Sequence, residues 1–162
     1  MIRSGTLLAF DVGSARIGVA MGEASLGIAH PLETIASERN SERFTRIQAL
    51  IREWQPVALV VGLPTHMDGT HHATTALAQR FAQRLHGRFA LPVWLVDERL
   101  TSLDAASRLK ELGMYGKKQK TALDQVAALL ILETFFAGSG TELILSGAIP
   151  EGQGDGCPTS DY

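Results

Sequence analysis

The chain has 162 residues, 45% of them apolar and 20% charged, with a formal net charge of −2. That length suits one domain with a real hydrophobic core, and the near-neutral balance excludes a strongly basic nucleic-acid binder, so any such function must rest on a local patch. A single cysteine, Cys157, excludes a disulfide framework or thiolate metal cluster within one chain, and no apolar run approaches the ~18 residues of a membrane span.

The residues ahead of Asp11 are too few for a signal peptide, and the cytoplasm fits as the compartment. All 15 Lys and Arg precede residue 138. Residues 1–137 therefore carry +2 and the remainder −4.

Thr6–Phe10 (TLLAF) reads as a strand entering the core, and Arg16–Met21 (RIGVAM) as a second. The short glycine-containing link DVGSA favours an antiparallel hairpin. Ile28–Ile35 is a third strand, and its Pro31 suits a sheet edge because proline cannot donate a ladder hydrogen bond. The period then changes. Phe44, Ile47, Leu50, Ile51 and Trp54 form a helical stripe, which Asn40 or Ser41 can cap and Pro56 stops. Val57–Leu63 (VALVVGL) is continuously apolar, as expected of a central strand covered on both faces. Ala73, Leu77, Phe81 and Leu85 mark a second helix, and Pro92–Val96 another buried strand. Leu103, Ala106, Leu109 and Leu112 mark a third helix that Gly113 ends. MYGKKQK reads as a polar, basic loop. Thr121 then opens a helix to about Phe136, whose centre VAALLIL is apolar on every side and expects deep packing.

From Gly138 onward there are six glycines, two prolines, four acids and no base, a composition read as a disordered tail over 138–162. Residues 1–137 follow the order β-β-β-α-β-α-β-α-α. That order predicts an α/β protein with a five-stranded mixed sheet flanked by helices.

Three carboxylates stand at element ends. In an open α/β sheet, ligands bind outside the carboxyl ends of the strands. Asp11 follows the first strand, and Asp97 and Glu98 follow the last. Side chains alternate along a strand, so only one of that pair can readily join Asp11. Asp124, in the first turn expected for the apolar helix, has Ala128 and Ile131 on its face. Three converging carboxylates repel, and their natural partner is a hard cation held through oxygen, Mg²⁺ or Mn²⁺, the kind of ion that serves phosphodiester hydrolysis. Each acid also has a plainer role. Asp11 before Gly13 can form an Asx turn. Asp97-Glu98-Arg99 can be a surface charge cluster. Thr121-x-x-Asp124 is close to a capping box.

FDVGSARIGVA, VVGLPTHMDGT, DERLTS and LDQVAALLIL, in that order over residues 5–137, resemble the YqgF family. These are Holliday-junction-resolvase-like proteins assigned to the trimming of precursor 16S ribosomal RNA. The resemblance implies an RNase H-like fold and a metal-dependent nuclease acting at the 5′ end of that RNA, with Asp11, Glu98 and Asp124 as its catalytic, metal-holding carboxylates. It selects Glu98 over Asp97, a choice that alternation alone leaves open. In the second motif Thr65 and His66 depart from the family's usual Leu-Asn. Ala127 stands where junction resolvases carry a further acid.

Arg16 and Arg99 adjoin the three acids and can contact phosphate or pair with a carboxylate, Glu98 or Asp97 in the case of Arg16. Lys117, Lys118 and Lys120, with Arg108 and Lys110 against Glu111 alone, form the best basic patch and suit phosphate neutralisation. His66 and Asp68, after the central strand, are candidate substrate contacts; His66, His71 and His72 lack the spacing of a zinc site. Arg80, Arg84 and Arg88 recur every four residues and read as a solvated helix face. The partner expected is structured RNA, precursor 16S rRNA or a pre-ribosomal particle, with branched DNA as the alternative substrate and no membrane. Nothing in the residues demands more than a monomer or weak dimer. A non-catalytic RNA-binding assembly factor is the competing class. A sugar-kinase-like phosphotransferase, suggested by DVGS alone, needs two such domains and lacks the room.

Overall fold

The computed structural model describes residues 2–13, 15–63, 73–97, 117–138 and 140–142. Strands β1 (Thr6–Val12), β2 (Ile17–Glu23) and β3 (Ile28–Ile35) form an antiparallel meander. β1 pairs in parallel with β4 (Ala58–Leu63), and β4 with β5 (Val93–Asp97). The two-residue β6 (Thr141–Glu142) pairs antiparallel with β5 and completes the six-stranded order β3-β2-β1-β4-β5-β6. The mixed sheet thus has one strand more than the sequence suggests. Two residues are too short to carry a hydrophobic period; it is the open edge of β5 that draws them into the ladder.

The strands are flanked by α1 (Asn40–Trp54), α2 (Ala73–Phe89) and α3 (Lys117–Phe136). The helix expected over Leu103–Leu112 lies outside the described residues. Pro31 sits on the edge strand β3, opposite Ala20 beside a register shift, where its missing N–H is tolerated. α1 begins one residue after Arg39, which makes no side-chain cap, so neither Asn40 nor Ser41 is the N-cap. It ends at Gln55, in the left-handed region at φ 47°, whose N–H donates to Ile51 O at 2.8 Å.

Two boundaries differ from the sequence reading in ways that matter for function. β1 runs two residues past Phe10, so Asp11 lies inside the ladder. α3 starts at Lys117, so the end of the expected basic loop is its first turn. Lys and Gln are good helix formers, and polarity by itself does not mark a loop.

Alternation along the strands splits the core into two layers. Leu8, Phe10, Val12, Ile17, Val19, Leu59, Val61 and Val93 pack against Phe44, Ile47 and Leu50 of α1 and Phe81 and Leu85 of α2. Leu7, Ala9, Ala20, Ala58, Val60 and Val96 pack against Ala128, Leu129, Ile131, Leu132 and Phe135 of α3. Among the described residues one helix covers this face, which accounts for the nearly all-round apolar centre of α3.

The residues that β2 turns toward α3 are small: Gly18, Ala20 and Gly22. A Cβ at Gly18 would lie 1.9 Å from the carbonyl oxygen of Asp124, and one at Gly22 would lie 2.9 Å from Leu132 Cδ2. The helix rests directly on the strand backbone. Because the obstruction at position 18 is main chain and not a flexible side-chain end, Gly18→Ala forces α3 away from the sheet. The expected loss is about 3 kcal/mol or more, at the upper end of overpacking costs. Chemical denaturation checks it, and an unchanged midpoint would mean that the helix is free to shift.

Candidate active site

β1, β4 and β5 run parallel, so their carboxyl ends share one edge of the sheet, the edge at which open α/β folds bind ligands. Asp11 is half-buried there. It continues the series Leu7, Ala9 on the α3 side of β1. Across the ladder it stands opposite Gly18, and directly opposed residues of an antiparallel pair project to the same face. The space that a Gly18 side chain would fill is occupied by Asp124, whose backbone and Cβ both crowd it. Asp11 and Asp124 are thereby brought to one face of the sheet, beside the same glycine.

Asp124 is not in a first helical turn, because α3 has already run two turns from Lys117. The capping-box reading of Thr121 and Asp124 therefore fails. The Asx-turn reading of Asp11 fails as well: Asp11 is a ladder residue, and the hairpin is closed beyond it by the Gly13 N–H donating to Arg16 O at 2.8 Å.

Arg16, immediately after the turn, donates from Nε to Asp124 Oδ2 at 2.7 Å. Its partner among the described residues is thus the third acid of the set and not Asp97. The hydrogen bond to Asp124, and then that carboxylate's charge, raise the Arg16 pKa, with desolvation acting in the opposite sense. The side chain is 47% exposed, so an exposed pair of this kind contributes little to stability and chiefly sets orientation. The next residue of α3, Gln125, donates from Nε2 to Thr34 Oγ1 of β3 at 3.1 Å, which fixes the helix rotation that aims Asp124.

Asp97, the last residue of β5, alternates with Val96 and so falls on the α1–α2 side, away from Asp11. Glu98, Arg99, His66 and Asp68 lie outside the described residues, as do the side chains of Lys117, Lys118 and Lys120. Among the described residues no group of three or more His, Cys, Asp or Glu gathers as a metal site. The carboxylate pair does supply the hard oxygen donors that Mg²⁺ or Mn²⁺ takes, and a third donor has to come from elsewhere.

Arg43 was not singled out by sequence reasoning. It is only 3% exposed. Its Nε donates to Ser37 O, and its Nη2 donates to Gly13 O at 2.8 Å, tying the β1–β2 hairpin to α1. Burial lowers its pKa, partly opposed by the charge of Glu38. A signal was present: Arg43, Ile47, Leu50 and Trp54 keep helical spacing, so a charged residue sat on the apolar stripe.

The sequence model of a family described as "RuvX: Holliday junction resolvase" matches residues 5–138. A Neisseria meningitidis serogroup B protein named "Putative pre-16S rRNA nuclease" is 55% identical over 141 residues, 87% of this chain and 93% of its own. A Dechloromonas aromatica protein of the same name is 60% identical over 132 residues, 82% of this chain and 90% of its own. Among solved structures, Thermus thermophilus RuvC superposes with a TM-score of 0.53 at 17% identity, over 85% of this chain and 99% of that one. The same protein with a Holliday junction substrate gives a TM-score of 0.55 at 14% identity, over the same shares of the two chains. At such identity the likeness speaks for the fold, which is RNase H-like.

Because Arg43 serves two carbonyls on different segments, its removal strands partly buried acceptors. Arg43→Ala is expected to cost about 2–4 kcal/mol. Arg43→Lys should recover little of this, since an ammonium cannot reproduce the two-pronged geometry. Thermal denaturation of both variants checks the point; full rescue by lysine would show that charge alone matters.

Proposed function

This chain belongs to the RuvX family and is a nuclease, and we propose that it hydrolyses phosphodiester bonds at the 5′ end of precursor 16S ribosomal RNA, using Asp11, Asp124 and Glu98. The observation that carries the reading is the meeting of Asp11 and Asp124 beside Gly18 at the carboxyl edge of the parallel strands. Two elements distant in sequence deliver carboxylates to one face of the sheet, where their oxygens suit a hard cation.

Mg²⁺ or Mn²⁺ bound by these acids would lower the pKa of the attacking water and offset charge on the leaving oxygen. The carboxylates lend the oxygen donors. Asp97 faces the other side of the sheet from Asp11, which favours the Glu98 of the DER motif as the third acid. Arg16 orients Asp124 and offers its exposed guanidinium to a phosphate oxygen. Arg99, Lys117, Lys118 and Lys120 belong to the electrostatic footprint that holds the RNA backbone. His66 and Asp68 follow β4 in the sequence and are assigned to substrate contact. No described helix is long and apolar enough to cross a membrane.

The family description, which speaks of Holliday junctions, supports a second substrate, branched DNA. Both substrates belong in one experiment. Wild type, Asp11→Asn and Asp124→Asn are incubated with precursor 16S RNA or a four-way DNA junction, in Mg²⁺, Mn²⁺ or EDTA. Metal-dependent cleavage of the RNA is expected, falling by about 10²-fold or more in each folded variant, as for loss of one charge-stabilising group. Preferential cutting of the junction would move the substrate to DNA. Tight RNA binding without cutting by any of the proteins would leave an assembly factor in place of a nuclease.

A further inference from the structure

Asp124 has two claimants. Its Oδ2 accepts from Arg16 Nε at 2.7 Å, and the nuclease reading asks the same carboxylate to hold a divalent cation. Two positive charges on one carboxylate weaken each other's hold. We propose that Arg16 is a displaceable counter-ion. Its guanidinium gives up Asp124 when a divalent cation takes that carboxylate, and it then serves a phosphate of the RNA. Cation and RNA thus bind cooperatively through this one side chain. The inference rests on the reading of the chain as a metal-dependent RNA nuclease and deepens it by naming the residue that couples the two ligands.

Three observations support exchange over a fixed structural pair. The contact is built to part. Arg16 reaches Asp124 through one N–H, Nε. Arg46 grips Glu33 through two, Nε at 2.8 Å and Nη2 at 2.7 Å, each on its own carboxylate oxygen. Both arginine side chains are 47% exposed, so the weaker hold of Arg16 lies in geometry and not in burial, since the two-pronged arrangement is the stronger one. Next, Asp124 keeps its place without the arginine. The seating of α3 on Gly18 sets it, because a Cβ at Gly18 would lie 2.9 Å from the Asp124 Cβ. One residue on, Gln125 is tied to Thr34 of β3. Last, Arg16 can leave without disturbing the hairpin. Its carbonyl accepts from the Gly13 N–H, and the following residue, Ile17, is fully buried and paired with Val12. Movement is therefore confined to the side chain, which pivots on a held backbone at the carboxyl edge where a phosphate would approach the acids. An exposed ion pair of this kind is weak, and a dication shared by several carboxylates displaces it. A side chain that must leave one ligand's site to serve the other adds its weaker contact to the coupling, and the coupling is reciprocal.

The test is binding, not turnover. Mn²⁺ affinity without RNA is read from the electron paramagnetic resonance signal of the free ion. The proteins are wild type, Arg16→Gln, Asp124→Asn, their double variant, and Arg46→Gln as the matched exposed pair; melting curves confirm that each folds. Arg16→Gln is expected to bind Mn²⁺ about twofold to fivefold more tightly, the value of an exposed ion pair, with Arg46→Gln at wild type. The gain should vanish in the Asp124→Asn background. Unchanged or weaker Mn²⁺ binding in Arg16→Gln would overturn the proposal, the weaker case making Arg16 a support for the cation. A gain that persists in the Asp124→Asn background is long-range charge alone and would overturn it too. A fluorescent stem-loop RNA with a single-stranded 5′ extension is then titrated in EDTA and in Ca²⁺, a hard cation that takes oxygen ligands, with gels confirming that the RNA stays intact. The tightening that Ca²⁺ brings is expected to be about twofold to fivefold larger in wild type than in Arg16→Gln, the same pair energy seen from the RNA side. Equal tightening in the two would sink the exchange and leave the nuclease reading standing. Failure of that reading has another signature: neither Mn²⁺ binding nor the effect of Ca²⁺ on RNA affinity would depend on Asp124, and both inferences would fall.

Discussion

The close approach of α3 to β2 at Gly18 is the constraint on which the rest of the structure depends. A helix normally stands off a sheet by the thickness of two side-chain layers. Here the strand contributes no side chain at Gly18 and Gly22 and a single methyl at Ala20, so the helix main chain meets the strand at Gly18 and its Leu132 and Phe136 side chains meet it at Gly22. The apolar length of α3 holds the contact closed, with Val126, Ala128, Ile131 and Leu132 fully buried along it. Asp124 lies at the upper end of that contact, and this placement, not any local motif, brings it beside Asp11. Core packing and site geometry are one feature seen from two ends.

Such an arrangement gathers negative charge where the core opens. Carboxylates brought to one face of a sheet repel one another. Arg16 offsets part of this by its hydrogen bond to Asp124. Yet Arg16 is half-exposed, so little free energy is needed to displace it. A strong buried pair would lock Asp124 away from a cation or substrate. An exposed pair orients the acid and yields it. The hairpin supports this economy: Arg16 sits one residue before β2, and its own carbonyl closes the turn with Gly13, so the backbone that carries the arginine is held while its side chain remains movable.

Much of the fold is legible in the residues. The helical stripe from Phe44 to Trp54, the continuous apolar run of β4 and the edge proline of β3 each name their element, because burial imposes a period and a missing N–H imposes an edge. What escapes the sequence is set by partners distant along the chain. β6 exists because β5 has an edge to pair. α3 begins at Lys117 because helix propensity overrides the loop-like look of a basic run. For the site, residue type and position at strand ends mark Asp11 and the DER acids, but the pairing of Arg16 with Asp124 needs the hairpin and the helix in register. Arg80, Arg84 and Arg88 show the same limit: periodicity puts them on one helix face, and only the neighbouring α1 decides that Arg88 lies over the Phe44 ring.

Arg43 links the two sides of the sheet. Its guanidinium donates to the Gly13 carbonyl, two residues beyond Asp11, and to the Ser37 carbonyl ahead of α1. The same β1 end presents Asp11 on one face and Val12 on the other. The Gly13 N–H donates in turn to Arg16 O, so the turn is held on one side by the helix layer and on the other by its own hairpin. A buried arginine on the α1–α2 side therefore sets where Asp11 and Arg16 stand on the α3 side, a coupling through the backbone that a net charge of −2 conceals.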